Sequence, residues 1–171
     1  FRGFPPHALS TGFARAQIGT AALIAFSHGS NDAQKAMGII TLALLSAGEI
    51  STLDVPTWVK FSCAMAMSLG TAAGGWKIIK TMGTGIVRLE PFSGCAVEVT
   101  SSLVIFGATL LHLPVSTTHV VSGSIMGIGA SNRIRSVRWG VARQMLLAWV
   151  LTIPLSALCS GGVYYLVQKL F

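Results

Sequence analysis

Long runs without a single Asp, Glu, Lys or Arg constrain this chain more than any other feature of its sequence. They cover residues 16–31, 36–48, 61–76, 99–132 and 144–168. Such a run has no charged face to show to water, so it must be buried in protein or lie in lipid. Composition decides between the two. Of 171 residues, 52% are hydrophobic and 10% charged, against about 25% charged in soluble domains. Mean hydropathy is +0.69. A disordered chain is excluded, and a soluble globular domain lacks the polar surface it needs. The net charge of +7 raises nucleic acid as a partner. Cations scattered among apolar runs fit membrane loops facing anionic headgroups better, so no nucleic acid is expected.

A membrane span needs about 20 mostly apolar residues. Residues 144–168 suffice for one. Residues 99–132 are interrupted by Pro114, and Pro56 to about Met82 spans if Lys60, Lys77 and Lys80 snorkel. Residues 16–31 and 36–48 are each too short alone, the pattern of discontinuous or re-entrant helices. Loop charge gives orientation. Residues 49–60 carry Glu49, Asp54 and Lys60; 77–90 carry Lys77, Lys80, Arg88 and Glu90; 133–143 carry Arg133, Arg135, Arg138 and Arg143. The basic loops belong in the cytoplasm and the acidic loop outside. Residues 92–130 must then leave and return to one side, as two short spans or as a hairpin turning near 113–118. The reading is an all-α, polytopic helical membrane protein, with 1–171 a single transmembrane domain. Because the chain opens on Phe1, it is expected to be a fragment of a longer protein.

Two interruptions carry polar groups. The first is Ser27-His28-Gly29-Ser30-Asn31-Asp32-Ala33-Gln34-Lys35, and the second is Pro114-Val115-Ser116-Thr117-Thr118-His119. Glu98, with Thr100, Ser101 and Ser102, is a third polar feature. Asp32, Lys35 and Glu98 each cost about 2.5–3.5 kcal/mol at a bilayer centre, so such residues line cavities, pair or handle ions. Asp32 and Lys35 are three apart and can neutralise each other; the plainer alternative is that both snorkel at an interface. Gly29-Ser30-Asn31-Asp32 is expected to unwind a helix or start a new one, offering carbonyls, an amide oxygen and a carboxylate to a cation such as Na⁺. Ser116, Thr117 and Thr118 after Pro114 open a helix. Hydroxyls there, with free N–H groups, suit a tetrahedral oxyanion, although an N-cap needs one of them. A carboxylate in that pocket accepts a proton from partly protonated phosphate and opposes sulfate.

Other signals carry less. No His-x-x-x-His or His-Glu-x-x-His is present, so no metal site is expected, and His28, His112 and His119 are read as structural. Gly70-Thr71-Ala72-Ala73-Gly74-Gly75-Trp76-Lys77 lacks the ending of a phosphate loop. Its G-x-x-x-G, like Gly123–Gly127, reads as a helix contact. The absent G-x-S-x-G weighs against a serine hydrolase, so an intramembrane enzyme using His119 and a hydroxyl is a minor reading. Cys63, Cys95 and Cys159 are read as small apolar residues.

With both interruptions in view, the chain resembles the inorganic phosphate transporter (PiT) family. The likeness rests on Ser27 to Gly38, on Pro114 to His119, and on Lys80-Thr81-Met82-Gly83 followed by Glu98; it runs from about Arg15 to Tyr165. The resemblance implies two related halves in inverted topology. The family's first half carries Asn three residues after its Asp; Lys35 in that place makes this chain similar to the second half. It implies an ion-coupled phosphate symporter in the plasma membrane, multi-pass and not an enzyme, with phosphate bound at the midplane by Asn31, Asp32, Ser116, Thr117 and Thr118. Asn31, Asp32 and Glu98 answer to a coupling cation, Na⁺ or H⁺, and no resident cofactor or metal is expected. The partners implied are phosphate, the cation, the bilayer and the other repeat, with a homodimer left open. The alternatives are a sulfate or other oxyanion permease of the same fold, and a non-transporting remnant.

Overall fold

The computed structural model describes residues 6–170, and among them it is all-α with no strand. Two compact units divide between Val137 and Arg138. The first holds α1 (Pro6–Ser46), α2 (Thr57–Lys80) continued by a π-helical turn (Thr81–Gly85), α3 (Pro91–Leu110) and α4 (Thr117–Asn132), followed by a short 3₁₀ turn (Ile134–Ser136). The second is α5 (Trp139–Leu170).

α1 is the axis of the first unit, and α3 lies beside it in the same direction. Phe13 meets Phe92 edge to face with ring centroids 5.0 Å apart. Phe26 stacks near Phe106, and Asn31 bonds Thr109. The offset stays near 80 residues along the pair, which is the signature of two parallel helices in fixed register. α2 runs back along α1: Ala33, Ala36 and Ile40 face Ser62 to Met67, while Ile24 and His28 face the later residues Met67 to Gly75.

α3 ends where its sequence tells it to. Leu113 N–H reaches the Ala108 carbonyl at 2.8 Å, and His112 N–H reaches Thr109 at 3.1 Å. This pair of bonds closes a Schellman motif, with His112 in the left-handed position at φ 57°. Pro114 follows and cannot continue the helix. α1 ends the same way, with Gly48 at φ 78° and Glu49 N–H bonded to the Leu44 carbonyl. α4 then turns back, and its C-terminal end meets the segment before α3. A Cβ on Gly129 would stand 2.6 Å from Val87 Cγ2, so only glycine permits this approach. Ile86, Val87 and Val137 are buried around it. α3 and α4 therefore form a hairpin whose two outer ends lie together.

Two expectations are corrected. The polar run at 27–35 does not unwind a helix: α1 is continuous through it. A glycine inside a helix costs only about 1 kcal/mol, and Ser27 returns its hydroxyl to the Leu23 carbonyl at 2.9 Å. The two short apolar runs are thus one helix of 41 residues, about 62 Å long. The discontinuity falls at the second interruption alone. Nor do Gly70–Gly74 and Gly123–Gly127 make close helix contacts within this chain, because a Cβ on any of the four would meet nothing within 4 Å.

α3, over Pro91–Leu110, is long and apolar enough to cross a membrane, and so is α5 over Trp139–Lys169. α5 keeps its helix through Pro154, although the Val150 carbonyl loses its donor there.

Candidate functional site

The carboxylate of Asp32 is the centre of a polar cluster. His28, Asp32 and Lys35 share one face of α1, because residues three and four apart lie above one another. His28 Nε2 is 3.0 Å from Asp32 Oδ2, and Lys35 Nζ is 2.9 Å from Oδ1. From the hairpin, Thr117 Oγ1 donates to Oδ2 at 3.3 Å. Lys35 Nζ donates a second bond to the Val115 carbonyl at 2.6 Å, so it is held by protein acceptors and does not merely reach for an interface. The two polar interruptions, 85 residues apart between Asp32 and Thr117, meet in space. Asp32 keeps 25% of its side chain exposed.

Asn31 faces α3. Its Nδ2 donates to Thr109 Oγ1 at 3.1 Å, and the Thr109 proton goes on to the Ile105 carbonyl at 2.9 Å. That hydroxyl must therefore accept from Asn31, which fixes the amide with Oδ1 outward from the bond. Asn31 is 3% exposed, and its Oδ1 is buried without a hydrogen-bond partner. An orphan acceptor of this kind costs about 1–3 kcal/mol.

The three hydroxyls divide. Ser116 caps α4, its Oγ accepting the His119 N–H at 3.4 Å. Thr117 is buried against Asp32. Thr118 is exposed and, with Thr117 and His28, lines a groove of about 530 Å³ whose other walls include Ile24, Val121, Met82 and, on α2, Met67, Gly70 and Ile78. The N–H groups of Thr117 and Thr118 have no intrahelical partner, which is the rule for the first turn of a helix. Hydroxyls, unpaired N–H groups and the positive end of a helix dipole thus gather beside one neutralised carboxylate.

Glu98 is not part of this gathering. Its Oε2 accepts a hydrogen bond from Thr20 Oγ1. Thr20 precedes Asp32 by 12 residues of continuous helix, about 18 Å along the axis. Ser102 returns its hydroxyl to the Glu98 carbonyl at 2.7 Å, and Ser101 is fully buried with an unpartnered Oγ. His112 serves the α3 terminus through its backbone conformation. Among the described residues no three His, Cys, Asp or Glu come together as a metal cluster.

Sequence reasoning passed over Thr109, Thr20 and the Val115 carbonyl. A signal for Thr109 was present: Glu98, Ser102 and Thr109 recur at 4 and 7, a polar stripe at helical period on α3. Nothing local marks the Val115 carbonyl.

Comparison with known proteins gives the family of the chain. The model of the phosphate transporter family matches residues 4–160. A probable low-affinity inorganic phosphate transporter of Bacillus subtilis (strain 168) is 54% identical over 160 residues, covering 93% of this chain and 48% of that protein. A protein of the same name from Rhizobium meliloti (strain 1021) is 45% identical over 161 residues, covering 94% and 48%. The solved structure named the sodium-dependent phosphate transporter superposes with a TM-score of 0.86 at 30% identity, over 99% of this chain and 44% of that one. The chain spans about half the length of the curated relatives it matches. Relatives of this kind are transporters and not enzymes, and they imply a membrane protein. On a family match covering nearly its whole length, the chain belongs to the phosphate transporter family.

Proposed function

We propose that this chain is one repeat of an ion-coupled symporter for inorganic phosphate, multi-pass in the plasma membrane, with a second repeat completing the site in inverted topology. In this reading residues 1–171 act as one transmembrane domain. Phosphate lies near mid-depth against Asn31, Asp32, Ser116, Thr117 and Thr118. Asn31, Asp32 and Glu98 answer to the coupling cation, Na⁺ or H⁺.

One observation carries the reading: Thr117, at the open N-terminus of α4, is hydrogen-bonded to Asp32 on α1. A helix N-terminus with spare hydroxyls receives an oxyanion. The adjacent carboxylate tells phosphate from sulfate, since only phosphate carries a proton near neutral pH to share with it. The Asn31 Oδ1, buried and unpartnered, is an oxygen ligand ready for a cation. Glu98, on α3 beside Thr20, lies some 18 Å along the axis from Asp32 and serves as a separate station.

The test is uptake of labelled phosphate by the full gene product, in cells stripped of their own phosphate carriers. Excess sulfate is expected to leave uptake intact, and Asp32→Asn is expected to abolish it while the protein still reaches the membrane. Uptake blocked by sulfate would instead support a broader oxyanion permease. Normal uptake by Asp32→Asn would remove Asp32 from the site.

A further inference from the structure

We propose that the Lys35 ammonium is a tethered counter-cation of the phosphate site. Asp32 is then charge-balanced by the protein itself, and the mobile coupling cation is seated elsewhere. This rests on the phosphate reading above and revises it in one respect, taking Asp32 out of the set that holds the mobile cation.

The argument starts from the occupancy of Asp32. Oδ1 is held by Lys35, and Oδ2 by His28 and Thr117. A hard cation seated there needs several oxygen ligands. Two oxygens of the cluster, Thr117 Oγ1 and the Val115 carbonyl, are already engaged with Asp32 and Lys35 respectively. The other neighbour, His28, presents nitrogen, and a mobile cation would have to stand against the ammonium. Lys35 therefore does at Asp32 what a bound Na⁺ would do, without leaving.

Its placement serves a ligand as well. An ammonium has three N–H donors. Two are used, toward Asp32 Oδ1 and the Val115 carbonyl, and the third has no protein acceptor among the described residues. Val115 directly precedes Ser116, Thr117 and Thr118, so the charge is anchored to the loop that presents the hydroxyls. A donor of full charge bonded to the residue that precedes those hydroxyls is a strong partner for a phosphate oxygen. The cation that answers Asp32 is Lys35, and Asn31 Oδ1 and Glu98 remain for the mobile ion.

The experiment is equilibrium binding of labelled phosphate to the purified full gene product in lipid nanodiscs, with Na⁺ exchanged for choline at constant ionic strength. Lys35→Gln is expected to weaken binding at low Na⁺ by at least about tenfold. Binding then returns as Na⁺ rises, or as pH falls in a proton-coupled carrier, with a dependence steeper by one ion. Lys35→Arg keeps the parent's steepness even where affinity falls. Two results overturn the inference. One is Lys35→Gln with the parent's Na⁺ dependence. The other is a folded Lys35→Gln protein whose lost binding neither Na⁺ nor acid recovers, which marks a purely structural lysine. A parent protein that binds no phosphate at any Na⁺ concentration overturns the phosphate reading instead.

Discussion

His112 and Gly48 hold equivalent positions at the ends of α3 and α1, yet only one is a glycine. A residue with a Cβ in the left-handed region carries a penalty of about 1–2 kcal/mol. His112→Gly is therefore expected to stabilise the protein by about 1 kcal/mol, and Gly48→Ala to destabilise it by a similar amount. Thermal unfolding in detergent, read by tryptophan fluorescence, measures both; a destabilised His112→Gly would show that the imidazole makes a contact that matters more than its backbone. The left-handed residue at 112 was not legible in the sequence, where histidine gives no turn signal, whereas the stop itself was, in Pro114. Asp32 and Lys35 were legible as a pair from spacing alone. What their atoms also touch, Thr117 and the Val115 carbonyl, comes from a segment some 80 residues away, and no local pattern encodes that.

At the level of elements, the parallel pair α1 and α3 is held in register by aromatic and polar rungs at Phe13–Phe92, Thr20–Glu98, Phe26–Phe106 and Asn31–Thr109. Thr109→Val keeps the shape of the rung and leaves the Asn31 amide without its acceptor. It is expected to cost about 1–3 kcal/mol in unfolding free energy, with Thr109→Ser close to the parent; equal stability of Val and Ser at 109 would place the rung's strength in packing alone. The hairpin's base depends on Gly129. Gly129→Val drives a side chain into Val87 and is expected to cost about 1–3 kcal/mol, part of it returned by Val87→Ala in a double-mutant cycle. The helices α2, α3, α4 and α5 were readable from apolar runs and Pro114. α1 was not readable as one element. Gly29, Ser30, Asn31 and Asp32 look like a break because each disfavours a helix, yet they sit within one, where Thr109 accepts from the Asn31 amide and Thr117 donates to Asp32 from the side.

For the whole molecule, charge is distributed by end. Arg88 and Arg133 line one cavity at the base of the hairpin, while Glu49 and Asp54 lie in the connection between α1 and α2. If the basic end is cytoplasmic, Ser51→Cys in the acidic loop reacts with a membrane-impermeant maleimide in intact cells, and Ser131→Cys near the basic end reacts only after the cells are opened. The reverse pattern would invert the proposed orientation. The class of the fold was legible from charge-free runs; the separation of Glu98 from Asp32 was not, since both read as membrane carboxylates until α1 proved continuous.

The hairpin of α3 and α4 also sets an order of assembly. Its tip carries a proline, three hydroxyls and the unpaired N–H groups of a helix start, and in the proposed setting this tip rests at mid-depth in the bilayer, where unsatisfied backbone is not tolerated. The groups that receive it, Asp32 and Lys35, belong to a helix made earlier by the ribosome. Synthesis from the N-terminus thus puts the receptor in place before the tip arrives. A permuted gene that delivered residues 86–137 first would send the tip into lipid with nothing to hold it, and quality-control proteolysis would decide its fate before any phosphate could.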